Sequence, residues 1–138
     1  MRRQAADNVY LHRDFHGALS TGIAYLQERY GADAVREYLR GFTGRYYAPV
    51  ALAVNARGLD ALREFFTGEY RREGGSITFT CADDVLVIEI AACPARAYLR
   101  QNDFPVAAVF AETDFAVWNA VCAGTAYAAE VLEYDGMS

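Results

Sequence analysis

Cys93 followed by Pro94 is the pair in this chain that carries the most chemistry. Proline suits the first position of a helix, where its missing amide proton has no partner, so Pro94 predicts a helix start with Cys93 at the cap. There the unpaired amides and the helix dipole favour a thiolate, the form in which cysteine attacks carbon. The plainer use of the same position is a small buried residue closing a turn. Two acids, Glu112 and Asp114, fall at the expected start of a later helix. Being two residues apart, they point in different directions. Either is a general acid or base if desolvated beside Cys93, or else a charge that stabilises the first helical turn. Asp114 is the stronger candidate, because Thr113 can serve as the cap.

His12 and His16 are four apart, one step round from Leu11 and Phe15, which puts both imidazoles at the edge of a buried helix face. That spacing suits a metal, with Glu112, Asp114 or Cys122 as the only obvious further ligands, and two half-buried histidines make the same pattern. The expectation is no metal and no cofactor, with His16, deeper in the helix, assisting Cys93. Arg45, Tyr46 and Tyr47 follow Gly41 and Gly44. A guanidinium and two phenols hold a small carboxylate well; close helix packing and an aromatic core explain the same residues.

The elements that must position these groups follow from periodicity. Leu11, Phe15, Leu19, Ile23, Leu26 and Tyr30 recur at steps of three or four and predict a helix from about Ala6 to Tyr30, ended by Gly31. Val35, Tyr38, Leu39, Phe42 and Tyr46 predict a second, kinked or stopped at Pro49 with a short continuation to Ala56. Leu59 to Tyr70 predicts a third, ended by Gly74 and Gly75. From Ser76 the period changes to two: Ile77, Phe79 and Cys81, an Ala-Asp-Asp turn, then Val85 to Ile90, a β-hairpin. A helix from Pro94 to about Arg100 follows. Phe104 to Phe110 reads as strand or helix, Thr113 and Asp114 cap a helix running to Gly124, and Ala126 to Tyr134 reads as a final strand. The expected fold is α+β: an N-terminal three-helix layer packed on a small antiparallel sheet, hairpin plus C-terminal strand, with two further helices.

Composition bounds the function. The 138 residues fit one domain, and a content of 54% apolar and 22% charged residues is that of a globular chain. All 13 basic residues are arginine, so neither a Schiff-base lysine nor a phosphate-loop lysine is available. A net charge of −5 and a pI near 5.0 argue against duplex nucleic acid or an anionic membrane as partner. Cys81, Cys93 and Cys122 form neither a disulfide framework nor a CxxC pair, and no apolar stretch resembles a signal peptide or a spanning helix. The expected home is the cytoplasm.

The stretch Val87 to Tyr134, chiefly IEIAACPARAYL, AETDFAVW and GTAYAAEVLEY, resembles the L-2-amino-thiazoline-4-carboxylic acid hydrolase-like family over about a third of the chain. That family is small and α+β, and is similar in arrangement to vinyl-reductase-type small-molecule sensor domains. The resemblance implies hydrolytic ring opening of a cyclic amidine acid, with Cys93 matching the cysteine of the family's Cys-Pro turn and Asp114 its following acid. Family members often carry a cysteine just before that acid, where this chain has Ala111, Glu112 and Thr113. Together these readings lead to a small-molecule hydrolase acting on a C–N bond, with Cys93 attacking, Asp114 or Glu112 shuttling protons, His16 assisting and Arg45, Tyr46 and Tyr47 holding the substrate. A non-enzymatic ligand-binding domain and a homodimeric interaction protein are the alternatives.

Overall fold

The computed structural model describes residues 9–104 and 106–134. Its first half is helical: α1 (Val9–Tyr30), α2 (Ala32–Tyr46), α3 (Ala48–Arg57) and α4 (Leu59–Glu73). Gly31, at a φ of 90°, separates the first two helices where a side chain would be strained. The break expected near Pro49, with a short continuation to Ala56, is found as a separate helix. Tyr47 ends α2 by donating its N–H to the Thr43 carbonyl at 2.9 Å, and α3 begins at once, with Pro49 in its first turn, where no amide proton is needed. The helical layer thus has four helices rather than three.

Strands β1 (Ser76–Ala82) and β2 (Val85–Ala92) form an antiparallel hairpin in which Ile77 faces Ile90, Phe79 faces Ile88 and Cys81 faces Leu86. Asp83 takes the positive φ of 53° that its two-residue turn requires, a conformation aspartate tolerates. The alternation has one consequence for packing: Ile77, Phe79, Leu86 and Ile88 press on the helical core while Thr78, Thr80, Val85, Val87 and Glu89 face outward.

After the hairpin come α5 (Pro94–Gln101), a 3₁₀ turn at Ala108–Phe110 and α6 (Ala111–Cys122). Two expectations are corrected here. The last helix begins at Ala111, two residues before Thr113, so Thr113 is no cap; its Oγ1 is buried without a hydrogen-bond partner. Residues 126–134 form no strand, and among the described residues the sheet has only the two hairpin strands. Ala126, Ala128, Ala129, Glu130 and Glu133 are residue types that pack poorly on a pleated surface, which leaves Val131 and Leu132 exposed on an irregular segment.

Two apolar clusters hold the elements together. In one, Leu19 and Ile23 of α1 meet Val35 and Leu39 of α2, Leu99 of α5, and Val109 and Phe110 of the 3₁₀ turn. In the other, Val50 and Val54 of α3 meet Ala61, Leu62 and Phe66 of α4 and Val121 of α6. Helix α6 lies against α2 and α3, and α5 against α1. No helix among the described residues is long and apolar enough to cross a membrane.

Candidate functional site

Helix α4 ends on Gly74 in the left-handed conformation, and the Gly75 N–H donates to the Tyr70 carbonyl at 2.9 Å, a closure that turns the chain sharply into β1. Gly75 stands directly against the start of α5. A Cβ there would lie 2.5 Å from Pro94 Cγ and 2.8 Å from the Ala92 carbonyl oxygen. This contact brings the C-terminal end of α4, with Tyr70 and Glu73, to the Cys93-Pro94 turn.

Cys93 is the cap residue of α5, in extended backbone conformation, with its carbonyl accepting the first helical bond from the Ala97 N–H at 3.0 Å. It is 8% exposed. Three residues on, and so on the same side of the helix, Arg96 is 3% exposed. Its guanidinium donates to Asp114 Oδ2 at 2.6 Å and to the Tyr134 hydroxyl. The Phe110 and Tyr134 rings flank its central carbon at 5.2 and 5.3 Å. A guanidinium sandwiched by two rings and tied to a carboxylate is held in one orientation.

Charge and burial compete around this pair. Burial raises the Asp114 carboxyl above its ordinary 3.8, and the bond and charge of Arg96 only partly offset that. For Arg96, burial pulls downward, but the hydrogen bond and charge of Asp114 outweigh it and keep the guanidinium firmly protonated. Arg96 also senses the Cys93 sulfur and the Tyr134 phenol electrostatically. Tyr70 is pushed well above its ordinary 10, first by burial and then by the charges of Cys93 and Asp114, so it stays a neutral hydroxyl.

A second polar contact adjoins this group. His16 Nε2 lies 3.2 Å from Glu73 Oε1, both side chains largely buried, and the His16 ring stands 6.1 Å from that of Tyr98. Glu73 in turn adds to the upward push on Tyr46, Tyr47 and Tyr70, each shifted first by burial. Two polar pairs, His16–Glu73 and Arg96–Asp114, thus lie within the helical layer, and Tyr70 feels the charge of an acid from each.

The other expected site residues lie apart. Glu112 points away from Asp114 and pairs with Arg36 Nε at 3.3 Å on the α2 side. Arg45 is exposed in the last turn of α2. Tyr46 and Tyr47 belong to a run of packed rings. Phe42 lies 5.8 Å from Tyr46, Tyr46 lies 4.8 Å from Tyr47, and Tyr47 lies 6.4 Å from Phe66, which meets Trp118 at 4.6 Å. The side chain of His12 lies outside the described residues. Among those described, no three His, Cys, Asp or Glu side chains converge as metal ligands.

Two clefts open beside the segment that follows α6. One of about 250 Å³ lies between Phe115, Trp118 and Val131. The other, of about 360 Å³, has Arg96, Arg100 and Tyr134 facing Val106, Phe110 and a run of alanines. Arg96, Tyr70, Glu73 and Tyr134 were not foreseen. For Arg96 a signal existed: it follows the cap by three residues and precedes Arg100 by four, which places all three on one helical face. Family models, curated proteins and solved structures yield no match to this chain.

Proposed function

We propose that the chain is a cysteine-dependent hydrolase of a C–N bond in a small cyclic amidine or amide that carries a carboxylate. The observation that supports this reading is the buried Arg96–Asp114 pair, with Arg96 three residues along α5 from the Cys93 cap and the charges of Cys93 and Asp114 both felt at Tyr70. The reaction class and its substrate follow the resemblance to the thiazoline-carboxylate hydrolase-like family; the roles follow from the geometry.

Cys93 Sγ, as thiolate, bonds to the electrophilic carbon, and the C–N bond breaks as the leaving nitrogen takes a proton from the Asp114 carboxyl. A water molecule then adds to that carbon and returns a proton to Asp114, and the C–S bond breaks to regenerate the thiolate. The net change is addition of one water across the C–N bond. An acid whose burial lifts its proton affinity is suited to both transfers, and the neutral Tyr70 hydroxyl can donate to charge developing nearby. Arg96 positions Asp114. The role expected for Arg45, orienting the substrate acid, passes to arginines of α5, since Arg45 stands at the exposed end of α2.

The test is ring opening of 2-amino-thiazoline-4-carboxylate and related cyclic amidine acids, followed by product mass spectrometry. Cys93→Ala abolishes turnover and Asp114→Asn lowers it by about 10² to 10⁴. Wild-type turnover in Cys93→Ala overturns the reading. A binding-only protein is the second reading, favoured by the small exposure of Cys93. It predicts stabilisation by the same acids, undiminished in Cys93→Ala, with no product formed.

A further inference from the structure

The cleft of about 360 Å³ beside α5 is near the lower end of the range for small-molecule sites, roughly 300 to 1,000 Å³. Of its eight lining residues, two are arginines, one is a tyrosine, none is acidic and the rest are apolar. Arg96 and Arg100 are four residues apart, so both guanidinium groups reach the same side of α5. Arg96 is deep and immobilised by Asp114, Phe110 and Tyr134, whereas Arg100 is at the exposed rim. The opposite wall is formed by Val106, Ala107, Ala108, Phe110 and Ala111. It is anchored where the Ala107 N–H donates to Ser20 Oγ of α1 at 3.1 Å, and small side chains there leave room for a flat body. The Tyr134 hydroxyl, bonded to Arg96, closes one end.

We infer that this cleft is the subsite for the carboxylate end of a small ligand with a flat, weakly polar ring. The inference rests on the hydrolase reading for what becomes of that ligand, and supplies the substrate acid's docking point. Arginine forks match a carboxylate in two parallel bonds, and the apolar floor of the cleft strengthens them relative to open water. The ring lies on Phe110, Val106 and the alanines, its acid toward Arg100 and the mouth of the Arg96 pocket. The Tyr134 hydroxyl is then the group a bound carboxylate displaces or adds to. A flat acid is preferred over a compact anion because five of the eight wall residues offer only hydrocarbon.

Benzoate, benzamide, acetate and inorganic phosphate are the probes, added to the full chain. Binding is read from the thermal midpoint and from the Nε–H resonances of Arg96 and Arg100. Benzoate is expected to raise the midpoint and move both resonances, with acetate and phosphate weaker and benzamide inert. Arg100→Gln, a change at an exposed position, is expected to weaken benzoate by about tenfold or more. Equal binding of benzamide and benzoate, or unchanged benzoate affinity in Arg100→Gln, overturns the inference. Cys93→Ala separates it from the parent reading, because benzoate binding should survive that change. Arg100-dependent benzoate binding without turnover of any cyclic amidine acid supports the subsite while sinking the hydrolase. Turnover with a benzoate-blind cleft does the reverse.

Discussion

Two regions of this molecule are rich in aromatic rings, and they use them in opposite ways. The rings of Tyr47, Phe65 and Trp118 pack on that of Phe66 at 6.4, 5.0 and 4.6 Å, and Val50, Val54 and Val121 belong to the same cluster. The hairpin lies on this cluster, which holds α3, α4, α6 and the sheet in one arrangement. Around Arg96, the rings of Phe110 and Tyr134 enclose a charge, the Asp114 carboxyl is bonded to it at 2.6 Å, and the cap residue Cys93 stands three residues away on the same helix. Rings on rings contribute stability through buried area. Rings on a guanidinium give up some of that stability to desolvation and fix a polar group in space.

The largest expected effect belongs to the first region. Phe66→Ala removes the ring shared by Tyr47, Phe65 and Trp118 and should cost about 3 to 5 kcal/mol of unfolding free energy, measured by chemical denaturation. Catalysis, if tested below the shifted midpoint, should change little. A loss below about 1 kcal/mol would show that the ring cluster is not the framework described.

Next comes Arg96→Met, which leaves Asp114 largely buried without its partner and should cost about 3 kcal/mol near neutral pH. Its pH dependence identifies the cause. Asp114 has a folded-state pKa above its ordinary 3.8, so between the two values the folded protein binds the proton more readily than the unfolded chain. Its contribution is therefore most favourable below 3.8 and declines as pH rises through the folded value. Removal of Arg96 raises that value further. The deficit of Arg96→Met against the native protein should thus shrink as pH falls toward 4, and a deficit independent of pH would assign the loss to packing alone.

A smaller effect links the two regions. Gly75→Ala puts a methyl group against Pro94 and the Ala92 carbonyl, and should destabilise by about 1 to 3 kcal/mol while displacing the Cys93 turn. Its signature is a disproportionate loss of Cys93 reactivity compared with Cys81, read by peptide mapping. Equal loss at both cysteines would mean general loosening.

The chain's periodicity made most of the elements readable. Steps of three and four through Leu19, Ile23, Val35 and Leu39 mark helix faces that are buried, and the two-residue period of Ile77, Phe79, Leu86 and Ile88 marks the hairpin face. Pro94 marked a helix start because its missing amide proton acts locally. Pro49 did the same, yet next to the Tyr46 stripe it resembled a stop. The segment 126–134 lacked a partner that local sequence could reveal, and its alternation alone could not make a strand. Within the candidate site, the cap position of Cys93 was legible from Pro94, but the reason for preferring Asp114, a Thr113 cap, fails because α6 begins at Ala111. Arg96 with Tyr134, and His16 with Glu73, join residues 38 and 57 positions apart. Pairings over such distances are set by how helices pack. Tyr46 and Tyr47 looked like pocket walls because aromatic residues line pockets and cores alike.

The proposed hydrolase requires Cys93 to be a reactive thiol that faces an arginine-bearing acid site. Alkylation with iodoacetate and with iodoacetamide, quantified at each cysteine by peptide mapping of the native protein, tests this directly. Cys122, whose thiol is pushed up by burial alone, is the internal reference. The expected result is a carboxylate-to-amide rate ratio higher at Cys93 than at Cys122, and reduced in Arg100→Gln. A Cys93 that stays unmodified by both reagents, or one that shows the same ratio as Cys122, contradicts it.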